Sequence, residues 1–287
     1  MDQFVAANLL PLALTLSIQT FAVSSMLMVG LRYTVSDLFR PLRDIPGAVV
    51  ALATNFILIP LLALLLLRAF PLDAPYATGL IIVASAGGAP LIVKLAMNAR
   101  EDVGFAASLI VLLLLGTIVA MPLILPQATD AARISPWAIA RPLLITMIAP
   151  LVLGFILRPL FPRLAERAVP VLGTILSVAL WVMVGLSLFL NRSAVIGILG
   201  EGAILVSLLF ITLAFALGYL TGSLDKTERI VLGFGTGQRN FAAAMVVATQ
   251  AFDEPGVVVM VVVLSIVAML LIPFSTFLGR RKIRKEA

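Results

Sequence analysis

The chain contains no cysteine and no histidine. The first absence excludes disulfides, thiolate nucleophiles and zinc–thiolate clusters. The second excludes an imidazole proton relay and any nucleophile–histidine pair. Charge is scarce too, with 12% Asp, Glu, Lys and Arg, against about 25% in a soluble domain. Hydrocarbon fills the space: 62% of the 287 residues are hydrophobic. That is too much for one soluble core, and the chain reads as an all-α polytopic membrane protein. The opening residues, MDQFVAANLL, lack the basic start of a cleavable signal, and the apolar run continues past signal length.

Apolar runs of membrane length fall at about 4–30, 45–67, 76–98, 103–125, 137–158, 168–190, 198–222, 229–252 and 256–279. Nine transmembrane helices place the two ends of the chain on opposite faces. With the basic tail at 280–287 in the cytoplasm, fourteen of the 20 Lys and Arg residues are inside, among them Arg32, Arg158, Arg163 and Arg167. Only Arg68, Arg133, Arg141 and Arg192 are outside, so the N-terminus is expected outside and the C-terminus inside. The expected location is a bacterial inner membrane, and the lipid bilayer is one partner. Nothing points to nucleic acid, because the positive charge is accounted for by topology.

Lys94 and Arg239 are the two cations outside the loops, whereas every carboxylate lies in a loop or at a span end. An arginine near the bilayer centre costs about 2.5–3.5 kcal/mol on insertion scales. The third span carries SAGGAP at 85–90, with Gly87, Gly88 and Pro90; the eighth carries GFGTGQRN, with Gly235 and Gly237 before Gln238, Arg239 and Asn240. Glycine weakens a helix and proline breaks one, so both spans are expected to be interrupted near the middle. They are five spans apart, and an odd interval inverts a repeated unit across the membrane. The expected architecture is an inverted repeat, about 1–126 and 137–280. Broken helices in matching positions point to a secondary transporter's binding site.

At these residues the sequence resembles the bile acid:sodium symporter family. The resemblance rests on MLMVGLRYTVSDLF (26–39), ATNFILIPLLALLLL (53–67), IIVASAGGAPLIVKLAMNA and GTGQRNFAAAMVVA, and it covers most of the chain. It implies a core of spans two, three, four, seven, eight and nine that rocks against a panel of spans one, five and six, without the family's first helix. It also implies alternating-access transport of organic anions such as bile acids, pantoate or 2-oxo acids, usually with sodium. The family's sodium sites use a glutamate where this chain has Gly235, and a glutamine where it has Arg239. The Ser/Asn pair after the first glycine pair is matched by Leu91 and Ile92, leaving Asn55 and Asn240 as polar matches. A pocket without carboxylates and with two added cations suits sodium poorly. The expected function is therefore transport of a small organic anion without sodium, with a sodium-coupled symporter and an anion channel as alternatives.

The expected substrate or ion ligands are Arg239, Asn240, Gln238, Lys94 and Asn55. Two readings of Arg239 stand: it grips the substrate anion, or it replaces the lost sodium and holds the frayed carbonyls of the breaks. Lys94 either snorkels to the inner interface, stands in for a second cation, or carries a proton. Asn55 and Asn240 also fit ordinary interhelical hydrogen bonding, and Thr15, Gln19, Ser24 and Ser25 either line the cavity or pack. No metal site or cofactor is expected, a coupling proton apart. The spans carry no Ser/His set, no paired Asp and no metal ligands, which excludes an intramembrane enzyme.

Overall fold

A computed structural model describes residues 2–34, 45–128, 135–200, 202–222 and 226–286, and all regular structure among them is helical. Arg40, Arg43 and Arg133 of the charge count, and residues 35–39 of the first family-like stretch, lie outside the described residues.

The helices are α1 (Asp2–Arg32), α2 (Ile45–Ala69), α3 (Ala74–Ala84), α4 (Leu91–Ala99), α5 (Val103–Ala128), α6 (Pro136–Leu160) and α7 (Pro162–Leu190). There follow α8 (Arg192–Gly200), α9 (Ala203–Thr221), α10 (Lys226–Gly237), α11 (Phe241–Gln250), α12 (Pro255–Ala268) and α13 (Leu271–Glu286). Seven helices among the described residues are long and apolar enough to cross a membrane; α12 and α13 count as one of them.

Two sequence expectations shift. The sixth run begins as a helix at Pro162, earlier than 168, because proline is well suited to a first helical turn. The seventh run is divided into the short α8 and α9, with Gly202 between them at φ 71. Only glycine adopts that backbone readily, so the chain turns there.

Both α2 and α6 widen into a single π-helical turn, at Thr54–Leu58 and Leu144–Ile148. A proline follows each, Pro60 and Pro150. Proline has no amide for the carbonyl four residues back and crowds that turn; a wider turn relieves both defects. In α2 this places Asn55 and Phe56 on the bulge.

α1, α6 and α7 pack on one another, while α3 runs along α12, α9 along α10, and α4 along α13. The α1–α6 crossing is a contact of bare backbones. A Cβ on Gly30 would lie 2.3 Å from the Leu151 carbonyl oxygen, and one on Gly154 would lie 2.8 Å from Gly30. Small residues at such crossings let membrane helices touch, which is where their packing energy comes from. The three-helix group meets the remainder at α5, α11 and α12.

Candidate functional site

The first interruption falls where the sequence places it. α3 ends at Ala84, α4 starts at Leu91, and Ser85–Pro90 lie between. Gly88 has φ 81, and a Cβ there would sit 2.5 Å from the Leu114 nitrogen, so the strand of chain lies directly on the α5 backbone. The freed polar groups of Gly87 are met by one side chain. Its N–H donates to Thr117 Oγ1 at 2.7 Å, and the Thr117 hydroxyl donates to its carbonyl at 2.9 Å. Thr117 was missed from sequence; the signal was one of only two hydroxyls, with Ser108, in an otherwise apolar run.

The second interruption is shorter and later than the glycines suggest. α10 continues through Gly235 to Gly237, and only Gln238–Asn240 leave the helix. Gly235 and Gly237 instead admit neighbours. A Cβ on Gly235 would lie 2.7 Å from Leu109 Cδ2, and one on Gly237 would lie 3.2 Å from Leu271 Cδ1. Asn240 caps α11, its side-chain oxygen accepting from the Ala243 N–H at 3.1 Å. Its own N–H donates to the Ala86 carbonyl at 2.9 Å, tying the second break to the first.

Arg239 is the largest fully buried side chain of the described residues, with 0% exposure. Its Nε donates to the Val83 carbonyl at 3.2 Å and its Nη2 to the Ala84 carbonyl at 2.7 Å. Its Nη1 donates to Asn55 Oδ1 at 2.6 Å and, more weakly, to the Thr236 carbonyl at 3.4 Å. Four of the five guanidinium N–H groups are therefore used. Asn55 is held for this task by its other amide atom, Nδ2, which donates to the Ala51 carbonyl at 3.0 Å.

No carboxylate takes part. Val83 and Ala84 are the last residues of α3, and Thr236 is in the last turn of α10. A helix C-terminus carries about half a negative charge. The guanidinium thus sits where two such ends meet, which explains how a lone cation is accommodated in an apolar interior. The opposite, positive ends of α4 and α11 begin at Leu91 and Phe241.

The structure brings Asn55, Arg239 and Asn240 together with the first break. Gln238, in the same short segment, is 5% exposed; its Oε1 and the Asn240 Nδ2 are buried without a hydrogen bond. Lys94 is not part of this network. It is exposed on α4 and makes no hydrogen bond or ion pair among the described residues. On α1, Thr15 and Ser24 turn their hydroxyls to their own helix, at the Pro11 and Thr20 carbonyls. No group of three or more Asp, Glu, His or Cys able to hold a metal occurs among the described residues.

One further pair was not foreseen. Glu101, just past α4, is buried, and Lys282 Nζ of α13 lies 2.7 Å from its Oε2 and donates to the Arg100 carbonyl at 3.1 Å. The carboxylate contact is an ion pair by distance.

A family model described as the Sodium Bile acid symporter family matches residues 20–198, which include Asn55, the first break and Lys94. The probable sodium/metabolite cotransporter BASS3, chloroplastic, of Arabidopsis thaliana is 24% identical over 231 residues, covering 78% of this chain and 54% of the relative. The probable sodium/metabolite cotransporter BASS2, chloroplastic, of Oryza sativa is 25% identical over 241 residues, covering 82% and 57%. The chain thus spans a little over half the length of these curated relatives.

Proposed function

The chain belongs to the Sodium Bile acid symporter family, and from that premise we propose that it is a membrane carrier of a small organic anion that works without sodium. The seven long helices and the two interrupted ones, α3–α4 and α10–α11, support a reading of nine crossings. Their arrangement supports an inverted repeat with α1, α6 and α7 as the panel and the other crossings as the core. The carrier moves a carboxylate of the bile-acid, pantoate or 2-oxo-acid kind by alternating access, in a bacterial inner membrane. The names of the relatives describe sodium/metabolite cotransporters, so the substrate class follows theirs and the coupling departs from it.

The observation that carries the departure is the fourfold hydrogen-bonded, fully buried Arg239. Of the two roles open to this residue, a built-in cation fits better than a substrate ligand. Its donors are turned onto Asn55 and the ends of α3 and α10, the oxygens a small cation would otherwise use. The neighbouring position agrees. At Gly235, where the resemblance puts a sodium-binding glutamate, the space belongs to Leu109 and Leu113. These residues do not fit a sodium ion. What remains for an anion is the pair of positive helix ends at Leu91 and Phe241, the unpaired Asn240 Nδ2 and the free ammonium of Lys94.

The test is binding of a panel of monocarboxylates to the purified protein in Na⁺ and in choline. Equal affinities are expected, together with a loss of about tenfold in Lys94→Met, the size of a single 1.4 kcal/mol contact. A large specific requirement for Na⁺ overturns the reading and restores ordinary sodium symport. Unchanged affinity in Lys94→Met removes the lysine from the site and leaves it as an interfacial cation.

A further inference from the structure

We propose that α1, α6 and α7 form, at the end of the bundle carrying Arg158 and Arg167, a binding site for an anionic phospholipid. An acyl chain lies in the apolar groove between the three helices, and the phosphate is held by the arginines at its mouth. This site is separate from the Arg239 network and rests only on the chain being a membrane protein.

The groove follows from the glycine crossing. α1 and α6 touch at Gly30 and Gly154. Just beyond that contact, the residues that follow, Leu31 and Arg32 on α1 and Phe155 and Arg158 on α6, line a cavity of about 740 Å³ with α7 as the third wall. A second cavity of about 430 Å³ adjoins it, sharing Leu31 and Ala165. Its walls are hydrocarbon, including Leu27, Leu157, Leu164 and Leu172, and its one charged lining residue is Arg167. Each volume falls within the range of about 300–1,000 Å³ typical of pockets that enclose an organic ligand.

Charge selects the occupant. Three arginines line the two cavities, Arg32, Arg158 and Arg167, against one carboxylate, Glu166. None of the four is in an ion pair among the described residues. Arg158 is fixed at the mouth, its Nη1 donating to the Arg32 carbonyl at 2.5 Å, which also caps the end of α1. A wholly apolar occupant would leave these cations unused, and a polar metabolite would leave the leucine walls wet. An anionic lipid satisfies both, and basic pockets between membrane helices hold such headgroups. No residue of α3, α4, α10 or α11 lines either cavity.

The experiment uses the full chain in phosphatidylglycerol and in phosphatidylcholine nanodiscs, with retained lipid counted by native mass spectrometry and thermal unfolding followed in parallel. Retention of phosphatidylglycerol over phosphatidylcholine is expected, with about fivefold weaker retention in Arg167→Gln. Because Arg158 also caps α1, Leu164→Trp provides a second arm that fills the groove and leaves the arginines in place; it too is expected to expel the lipid. Equal retention of both lipids overturns the proposal. So does full competition by glycerol 3-phosphate, which would mark a site for a free anion, and displacement by a transported carboxylate, which would make the groove part of the transport path. A stable dimer whose cross-links run through Leu164, with no lipid retained, assigns the face to a second copy and overturns it as well.

Discussion

The two helix interruptions differ in what they lack and in what they provide. The first, Ser85–Pro90, is six residues of small side chains and proline, and it depends on others. Thr117 satisfies Gly87, the backbone of α5 shapes Gly88, and Arg239 satisfies Val83 and Ala84. The second, Gln238–Asn240, is three polar residues, and it serves both itself and its partner. Asn240 caps the next helix with its side chain while its backbone bonds Ala86. In lipid every backbone group must be satisfied within the protein. Two breaks that exchange hydrogen bonds in this way are a single structure, and each is unstable without the other.

Removing the provider is expected to have the largest effect. Arg239→Leu takes away the cost of burying a charge, but it strands the Ala84 carbonyl and Asn55 Oδ1, at about 1–3 kcal/mol for each buried group. It also leaves two negative helix ends facing each other. The outcome expected is little folded protein by size-exclusion chromatography, with partial recovery in Arg239→Lys, which restores the charge without the planar fork. A monodisperse, thermally unchanged Arg239→Leu protein would mean that the first break stands alone.

Next in size is an attack on the dependent partner. Gly88→Ala places a Cβ 2.5 Å from the Leu114 nitrogen and 2.9 Å from the Ile110 carbonyl oxygen, and neither backbone atom can step aside. The left-handed conformation adds about 1–3 kcal/mol of strain for an L residue. A large drop in unfolding temperature is expected, and shortening nearby side chains should not repair it, because the clash is with the main chain.

The first break was legible in the sequence because Gly87, Gly88 and Pro90 act through the backbone, where local rules apply. The second was displaced by three residues for a related reason. The glycines of GFGTG read as helix breakers, yet in a membrane glycine serves as often to admit a neighbouring helix. Arg239 and Asn55 were legible as odd residues, but not as partners, since 184 positions separate them. Thr117, thirty residues from Gly87, and Lys282 with Glu101 are invisible to any local pattern for the same reason. Whether an arginine grips a substrate or replaces an ion depends on where its five donors point, and only the fold decides that.

The smallest expected effect tests that distinction between glycines. At Gly235 the backbone is helical, so alanine there carries no conformational penalty and is even favoured by about 1 kcal/mol of propensity. What opposes it is one methyl group, Leu109 Cδ2, 2.7 Å from the new Cβ, at the end of a side chain that can rotate. Overpacking of this kind costs about 1–3 kcal/mol, so Gly235→Ala should lower stability by about 1 kcal/mol after the propensity gain. Pairing it with Leu109→Ala opens the space and should make the Gly235→Ala step neutral or stabilising in a double-mutant cycle read by thermal unfolding. If Gly235→Ala is as damaging as Gly88→Ala and Leu109→Ala does not relieve it, the glycine is needed for its backbone after all, and the second break extends back into α10.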